Sequence, residues 1–395
     1  MIPYLLALII PMMFLYLVDS HQIDVRIGFV LTSVAIAFPC ILAGARDSGI
    51  GMDTLGYGDL IFELALANRW DWLSFIDAVR QSGFDIGFAF SAMAYVVVGM
   101  SSSSFWYYFV IEALIIVPCY FGVRLLAPGD NRAVSYASLY LILYMLSLSA
   151  MRQFIALAFG FLSVAVFMAR GNTGKGLIAC ILLEAISISF HKSAAFIIVC
   201  HIFWLCAAKY NDGVPLFREH TLRTLPLICV LVVFCAFNID PIFRFVTSVV
   251  PFFSRYASYL VTSGTASGFT FFIFFGMMLI ATIIRGRYLL LNHEPKFIML
   301  LFCGFVSVVL YALQSYNEEF IRLSYYFWPY ICASFSMAIG SGKKIRTRKG
   351  RLIDLFASIT FVIFIIGQFA WWYIINDYYE CLPYTSEFLC QLIAF

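Results

Sequence analysis

Residues 44–60 read GARDSGIGMDTLGYGDL, seventeen positions with one arginine, three aspartates and five glycines. The order Arg46, Gly51, Asp53, Tyr57 sets side by side the groups that a transfer reaction on an anionic substrate needs. An arginine holds an anionic group in a bidentate fork. A carboxylate in reach of a hydroxyl acts as a general base. Glycines on either side let the backbone fold closely round a ligand. The competing reading is a solvated loop, because connections are polar by default. Arg152, in MRQFIALAFG (151–160), opens an apolar run. There, free backbone N–H groups and the positive helix end would reinforce it as an anion site; the alternative is a snorkelling arginine at a helix end.

Other candidates follow. In NEEFIRLSYYFWPY, Arg322 comes three residues after Glu319 and four after Glu318. A helix would put both acids within ion-pair reach, with Tyr325 and Tyr326 on the next turn. That is either an arginine oriented by a carboxylate beside an aromatic stacking surface or an interfacial aromatic belt with an ordinary salt bridge. Arg255 with Tyr256 and Tyr259 carries the same ambiguity. His191, in SISFHKSAAF, can relay a proton or donate to a phosphate oxygen near neutral pH; it also fits a histidine hydrogen-bonded at a membrane interface. Glu112 and Glu184 lie inside apolar runs, where carboxylates face a bundle interior and have a partner. They are candidates for a structural pair.

The elements that carry these residues are membrane helices. The chain has 395 residues, 63% of them hydrophobic and 12% charged, with a mean hydropathy of +0.93. Runs such as FASITFVIFIIGQFAWWYII are apolar on every face, unlike the alternating strands of a barrel. Apolar segments occupy 3–18, 25–43, 84–100, 105–126, 133–149, 151–170, 175–190, 194–209, 224–239, 268–285, 296–313, 323–340 and 352–375. Several fall short of the ~20 residues a bilayer needs, so roughly eleven to thirteen true spans are expected. The opening segment lacks a basic start and a small-residue cleavage site and reads as an uncleaved helix. The whole is a single integral membrane domain with outer segments at 44–83 and 240–267, a cytoplasmic loop at 341–351 and an outer tail at 376–395.

Basic residues orient it. SGKKIRTRKGR, 341–351, holds six Lys/Arg and no acid, which marks the cytoplasmic side. Counting back puts Arg285, Arg287 and Lys296 on that side, and 46–59, Arg152, His191 and the tail outside. Parity before residue 150 requires one of three apolar segments not to cross, and Arg124 with Arg132 in a cytoplasmic turn selects 84–100.

No phosphate-cradling Gly-rich loop, zinc-spaced His/Cys cluster or soluble basic domain for nucleic acid is present. Neither a metal nor a cofactor is expected. Of eleven cysteines, nine lie in apolar runs; Cys381 and Cys390 lie in the tail, where an oxidising compartment allows either a disulfide or two free thiols.

GARDSGIGMDTLGY, MRQFIALAFG, ISFHKSA (188–194), RYASYL (255–260), EFIRLSYYF (319–327) and LPYTSEF (382–388), in this order, resemble the EpsG- and Wzy-type polysaccharide polymerases of bacteria. SGFDIGF (82–88) departs from the pattern: Asp85 stands where many relatives carry glutamate. The resemblance implies a GT-C type membrane glycosyltransferase at the outer face of the bacterial inner membrane. It would transfer a growing glycan from one undecaprenyl diphosphate onto the non-reducing-end sugar of another lipid-linked repeat unit. Undecaprenyl diphosphate is released. The implied partners are that lipid-linked oligosaccharide and membrane lipids, with a chain-length regulator as a further candidate. On this reading Asp53, Arg152 and His191 are catalytic, and Arg46, Tyr57, Arg255, Tyr256, Glu319, Arg322, Tyr325 and Tyr384 bind substrate or diphosphate. The rivals are an O-antigen ligase and a lipid-linked oligosaccharide flippase; against the flippase, no internal repeat is visible and the arginines gather at one face.

Overall fold

Prolines and tyrosines set the first helices against one another. α1 (Ile2–Asp19) begins on Pro3 and carries Pro11 inside it, and Pro11 has no N–H to give to the Ala7 carbonyl one turn back. The Tyr136 hydroxyl donates to that carbonyl at 2.5 Å. Tyr140 and Tyr144 follow at one-turn intervals and donate to Tyr4 O and Pro39 O, each at 2.9 Å. In lipid an unpaired carbonyl costs several kcal/mol, so these hydroxyls tie helices together as well as satisfying backbone.

The computed structural model describes residues 1–20, 23–129, 131–171, 173–211, 214–217, 224, 227, 268–315, 319–341 and 347–393. The chain forms two compact units, Met1–Ala195 with Phe369–Phe395, and Phe196–Gln368.

In the first unit, α1 is followed by α2 (Val25–Gly44), α3 (Asp59–Ala67), α4 (Trp72–Gln81), α5 (Phe88–Met100), α6 (Ser104–Leu126), α7 (Arg132–Leu139), α8 (Met145–Ser147), α9 (Met151–Arg170) and α10 (Gly174–Phe190). Polar residues start several of them: Asp24, Asp71, Ser103 and Thr173 each accept a backbone N–H of the first turn, which satisfies donors the helix cannot. α1 packs on α2 and α7, α2 on α6, α6 on α9, and α9 on α10. α9 is central, with 78% of its span buried against 22% for α1.

α5 has thirteen residues, about 20 Å of helix, too short for a ~30 Å hydrocarbon core. It starts beside the end of α10, where a Cβ on Gly87 would lie 3.1 Å from Phe190 O. Three residues link its end to α6, which begins against Gly44 at the end of α2. Segment 88–100 thus starts and finishes beside helix ends at one end of the unit, and with α3 and α4 it forms a layer of short helices there.

In the second unit, α11 (Ile198–Ala207) leads into an antiparallel hairpin, β1 (Ala208–Asn211) with β2 (Val214–Phe217), in which Ala208 pairs with Phe217. α12 (Gly268–Arg285), α13 (Arg287–Leu291), α14 (Pro295–Ala312), α15 (Glu319–Tyr325), α16 (Trp328–Ser341) and α17 (Arg348–Phe369) complete it. α14 packs on α12, α15 and α16. The apolar run 323–340 is two helices because Pro329, second in α16, cannot continue a helix from α15. The run 133–149 is broken by a π-helical turn at Tyr140–Tyr144.

The architecture is that of an all-α polytopic membrane protein. Among the described residues six helices are long and apolar enough to cross a membrane: α1, α2, α6, α9, α14 and Arg348–Ile375. The expected span at 224–239 and the outer connection 240–267 lie outside the described residues but for Thr224 and Leu227.

Candidate functional site

Glycine fixes the path of the 46–60 segment. Gly49 and Gly51 have φ of +98° and +89°, a region L side chains rarely adopt. A Cβ on Gly51 would sit 2.4 Å from Leu148 O, so the loop lies directly on the start of α9. Hydrogen bonds seat it: Gly51 N donates to Glu380 O at 2.9 Å, and Met52 N to Ser149 Oγ at 3.2 Å. Ser149 Oγ in turn donates to Tyr379 O at 2.8 Å. The tail therefore runs beneath the loop.

A π-helical turn, Thr54–Gly58, follows; such turns recur at functional sites. It brings the Tyr57 hydroxyl onto Asp53 Oδ2 at 2.5 Å. The Arg152 guanidinium lies over the Tyr57 ring, 4.5 Å from its centroid. Burial pushes the Tyr57 phenol well above its ordinary range, the Asp53 charge adds to the rise and Arg152 opposes it. Tyr57 therefore keeps its proton and donates it in the hydrogen bond to the half-buried Asp53.

Arg152 is half-buried and gives Nη1 to the Asp85 carbonyl at 2.6 Å. Its Nε is buried and has no hydrogen-bond partner among the described residues. Asp85, the position where the family pattern departs, thus meets Arg152 through its backbone. Its exposed carboxylate pairs with Lys192 at 3.2 Å. His191 sits next to that lysine, directly after α10, with Nδ1 2.6 Å from Ser193 Oγ. The structure accordingly brings Asp53, Tyr57, Arg152 and the His191 segment to one end of the first unit.

Arg46 joins them from the end of α2. It is 7% exposed and stacks over the Tyr108 ring at 4.4 Å. Its Nη2 reaches Met151 Sδ at 3.4 Å, and its Nε has no hydrogen-bond partner among the described residues. The Tyr108 hydroxyl donates to Asp59 Oδ1 at 2.5 Å, and Ser48 Oγ donates to Asp59 Oδ2. Sequence reasoning missed Tyr108, Asp59 and Lys192. Tyr108 lies in the aromatic start of α6, SFWYYF, where it looks like interfacial belt; its signal is its depth, one turn inside a helix whose first residues lie at the level of Arg46. Among the described residues no group of His, Cys, Asp or Glu is placed to hold a metal ion.

Tyr384, expected to face substrate, donates its hydroxyl to Leu42 O at 2.8 Å and sets its ring edge-on to Tyr4 at 5.3 Å, pinning the tail to α1 and α2. Cys381 and Cys390 are not bridged: Cys390 is exposed, while Cys381 is buried with Sγ on Met145 O at 3.3 Å. Glu112 is held by Ser147 Oγ, at 2.9 and 3.0 Å from its two oxygens, so a serine of α8 rather than Glu184 is its partner. In the second unit Arg322 is exposed on α15, but Tyr325 is buried against Trp328 with ring centroids 4.7 Å apart. The helix ends at Tyr325, and Tyr326 just beyond it is buried as well. α15 starts at Glu319; Arg255 and Tyr256 lie outside the described residues.

No curated protein and no solved structure matches the chain. The family model of the EpsG family matches residues 29–386, which runs from α2 through the tail and spans every element of the site. The chain is a multi-pass helical membrane protein that belongs to the EpsG family, of Wzy/EpsG-type polysaccharide polymerases.

Proposed function

We propose that the protein joins oligosaccharide repeat units carried on undecaprenyl diphosphate, as a GT-C type glycosyltransferase working at the outer face of the bacterial inner membrane. A hydroxyl on the non-reducing-end sugar of one lipid-linked unit attacks the anomeric carbon of the growing glycan. The bond to diphosphate breaks, and its electron pair leaves on a phosphate oxygen. The hydroxyl proton passes to a carboxylate. Asp53 is the proposed acceptor, with Tyr57 orienting it. Arg152 is proposed to neutralise the diphosphate as charge develops, the role for which a planar, permanently charged fork suits best. Arg46 supports the same field, and His191 with Lys192 lines the approach.

The observation that carries this reading is the meeting of a partly unsatisfied guanidinium with a hydrogen-bonded carboxylate–tyrosine pair at one end of the helical unit. Incubation of the purified protein with a lipid-diphosphate-linked repeat unit should give a ladder of polymer, and Arg152→Ala should give none at matched expression. A normal ladder from that variant removes Arg152 from the site. Failure of the wild-type protein with authentic substrate overturns the reading itself. The sidedness has its own test: a cysteine at position 346 should resist labelling from outside intact cells.

A further inference from the structure

A second set of charges lies in the other unit, at the shared end of α12, α14 and α17. Asp354 is 6% exposed and both its oxygens are taken, Oδ2 by Arg285 Nη1 at 3.0 Å and Oδ1 by Arg287 Nη1. Two guanidiniums sharing one carboxylate leave a net positive charge, which is costly where water is scarce. Arg287 also gives Nη2 to Gly350 O at 3.1 Å, tying α13 to the first turn of α17. Beside it opens a cavity of about 340 Å³, lined by Arg287, Tyr288, Leu291, Thr347, Lys349 and Ile353. Lys349 forms no ion pair with any described residue and adds a second cation to the wall.

We propose that this cavity holds the phosphate of an anionic phospholipid headgroup. The charge identifies the anion: Arg287 and Lys349 converge where one carboxylate has already been spent on two arginines. The apolar wall identifies an amphiphile rather than a soluble anion. Lys349, Ile353 and Phe356 fall at i, i+4 and i+7, one stripe of α17. Phe356 is 70% exposed, and Leu291, across the cavity on α13, is 77% exposed. A phosphate seated on Lys349 would have its glycerol and acyl chains running along that stripe, on helices whose surfaces are lipid-facing. Basic pockets at the ends of membrane helices are suited to such headgroups. The site is separate from the proposed transfer chemistry and does not depend on it.

The test is native mass spectrometry of the full chain in detergent, titrated with phosphatidylglycerol, with phosphatidylcholine, or with phosphatidylglycerol in millimolar inorganic phosphate. Phosphatidylglycerol should be retained in preference to phosphatidylcholine, and inorganic phosphate should not displace it. Lys349→Ala, at an exposed position that leaves the Asp354 cluster intact, should weaken retention about fivefold, the effect of one lysine near an anionic headgroup. Arg348→Ala, which removes a neighbouring charge outside the cavity, should stay within about twofold. Equal retention of the two lipids, an unchanged Lys349→Ala, or an equal loss in Arg348→Ala overturns the proposal. Displacement by inorganic phosphate makes the cavity a soluble-phosphate site and overturns the lipid assignment.

Discussion

Arg46 and Arg152 in the first unit and Arg285 and Arg287 in the second are two pairs of guanidiniums withdrawn from water, and they are held by different partners. The first pair rests on the faces of Tyr108 and Tyr57, a thioether and a backbone carbonyl. The second shares the carboxylate of Asp354. Ring faces and carbonyls orient a cation without cancelling its charge, whereas a shared carboxylate cancels half the charge of its pair. On the proposed function the first arrangement keeps cations ready for an incoming anion; the second fixes helices to one another. Stability should therefore depend on the second pair and turnover on the first.

Asp354→Ala gives the largest expected effect on that comparison. It strands two guanidiniums against each other in a largely buried site, and loss of one partner of such a set costs about 3–5 kcal/mol. The melting temperature in detergent should fall steeply, with activity lost only in proportion to folded protein. Unchanged melting would show that Arg285 and Arg287 do not need their carboxylate.

Arg152→Ala should do the reverse. Removing one donor to a developing anion costs on the order of 10²–10³ in rate, so polymer formation should collapse while melting stays close to wild type. Arg152→Lys should restore part of the activity at most, because a point charge lacks the fork. A variant that unfolds instead would place Arg152 with the structural pair.

Gly51→Ala comes next. At φ +89°, with Leu148 O 2.4 Å from the new Cβ, it stores backbone strain of roughly 1–3 kcal/mol and shifts Asp53 off its seat. Gly56→Ala is the control: nothing lies within 4 Å of its Cβ, and the change should be within about 0.5 kcal/mol of neutral. Equal effects of the two, read as melting temperature and polymer yield, would mean that the loop is not held on α9.

The sequence made some of this legible and concealed the rest for physical reasons. The run 151–170 matches α9 residue for residue because it is apolar from Phe154 to Ala169 but for Ser163 and ends in Arg170. The run 323–340 conceals the break before Trp328, since hydropathy averages over a turn and only Pro329 betrays it. Arg46, Asp53, Tyr57 and Arg152 stand out as polar residues in an apolar chain, and they do gather. Tyr108 and Asp59 were hidden because their role is to hold one another across 49 residues of chain, a pairing that no local pattern encodes. Tyr384 misled for the opposite reason: a tyrosine in an exposed-looking tail reads as surface, yet its hydroxyl closes a backbone carbonyl on α2.

The smallest expected effect concerns the tail thiols. Burial pushes the Cys381 thiol up to about 12, and the nearby Asp377 and Glu380 charges add to the rise while Ser149 and Arg46 oppose it. An ordinary cysteine ionises near pH 8.5, and the thiolate is the species that alkylates. Cys390 is exposed, so its reaction with iodoacetamide should accelerate as pH rises from about 7 to 9. Cys381, below its raised pKa over that whole range and closed off from reagent, should stay unlabelled in the folded protein. After denaturation without any reductant both should label, since no bridge joins them. Polymer yield should be unaffected by labelling Cys390 alone, as its thiol holds no part of the loop above it. Peptide mapping by mass spectrometry reads all three outcomes. Early labelling of Cys381 at neutral pH would mean that the tail lifts away from Met145 and Ser149, and that the loop carrying Asp53 lacks the support on which the first pair of arginines depends.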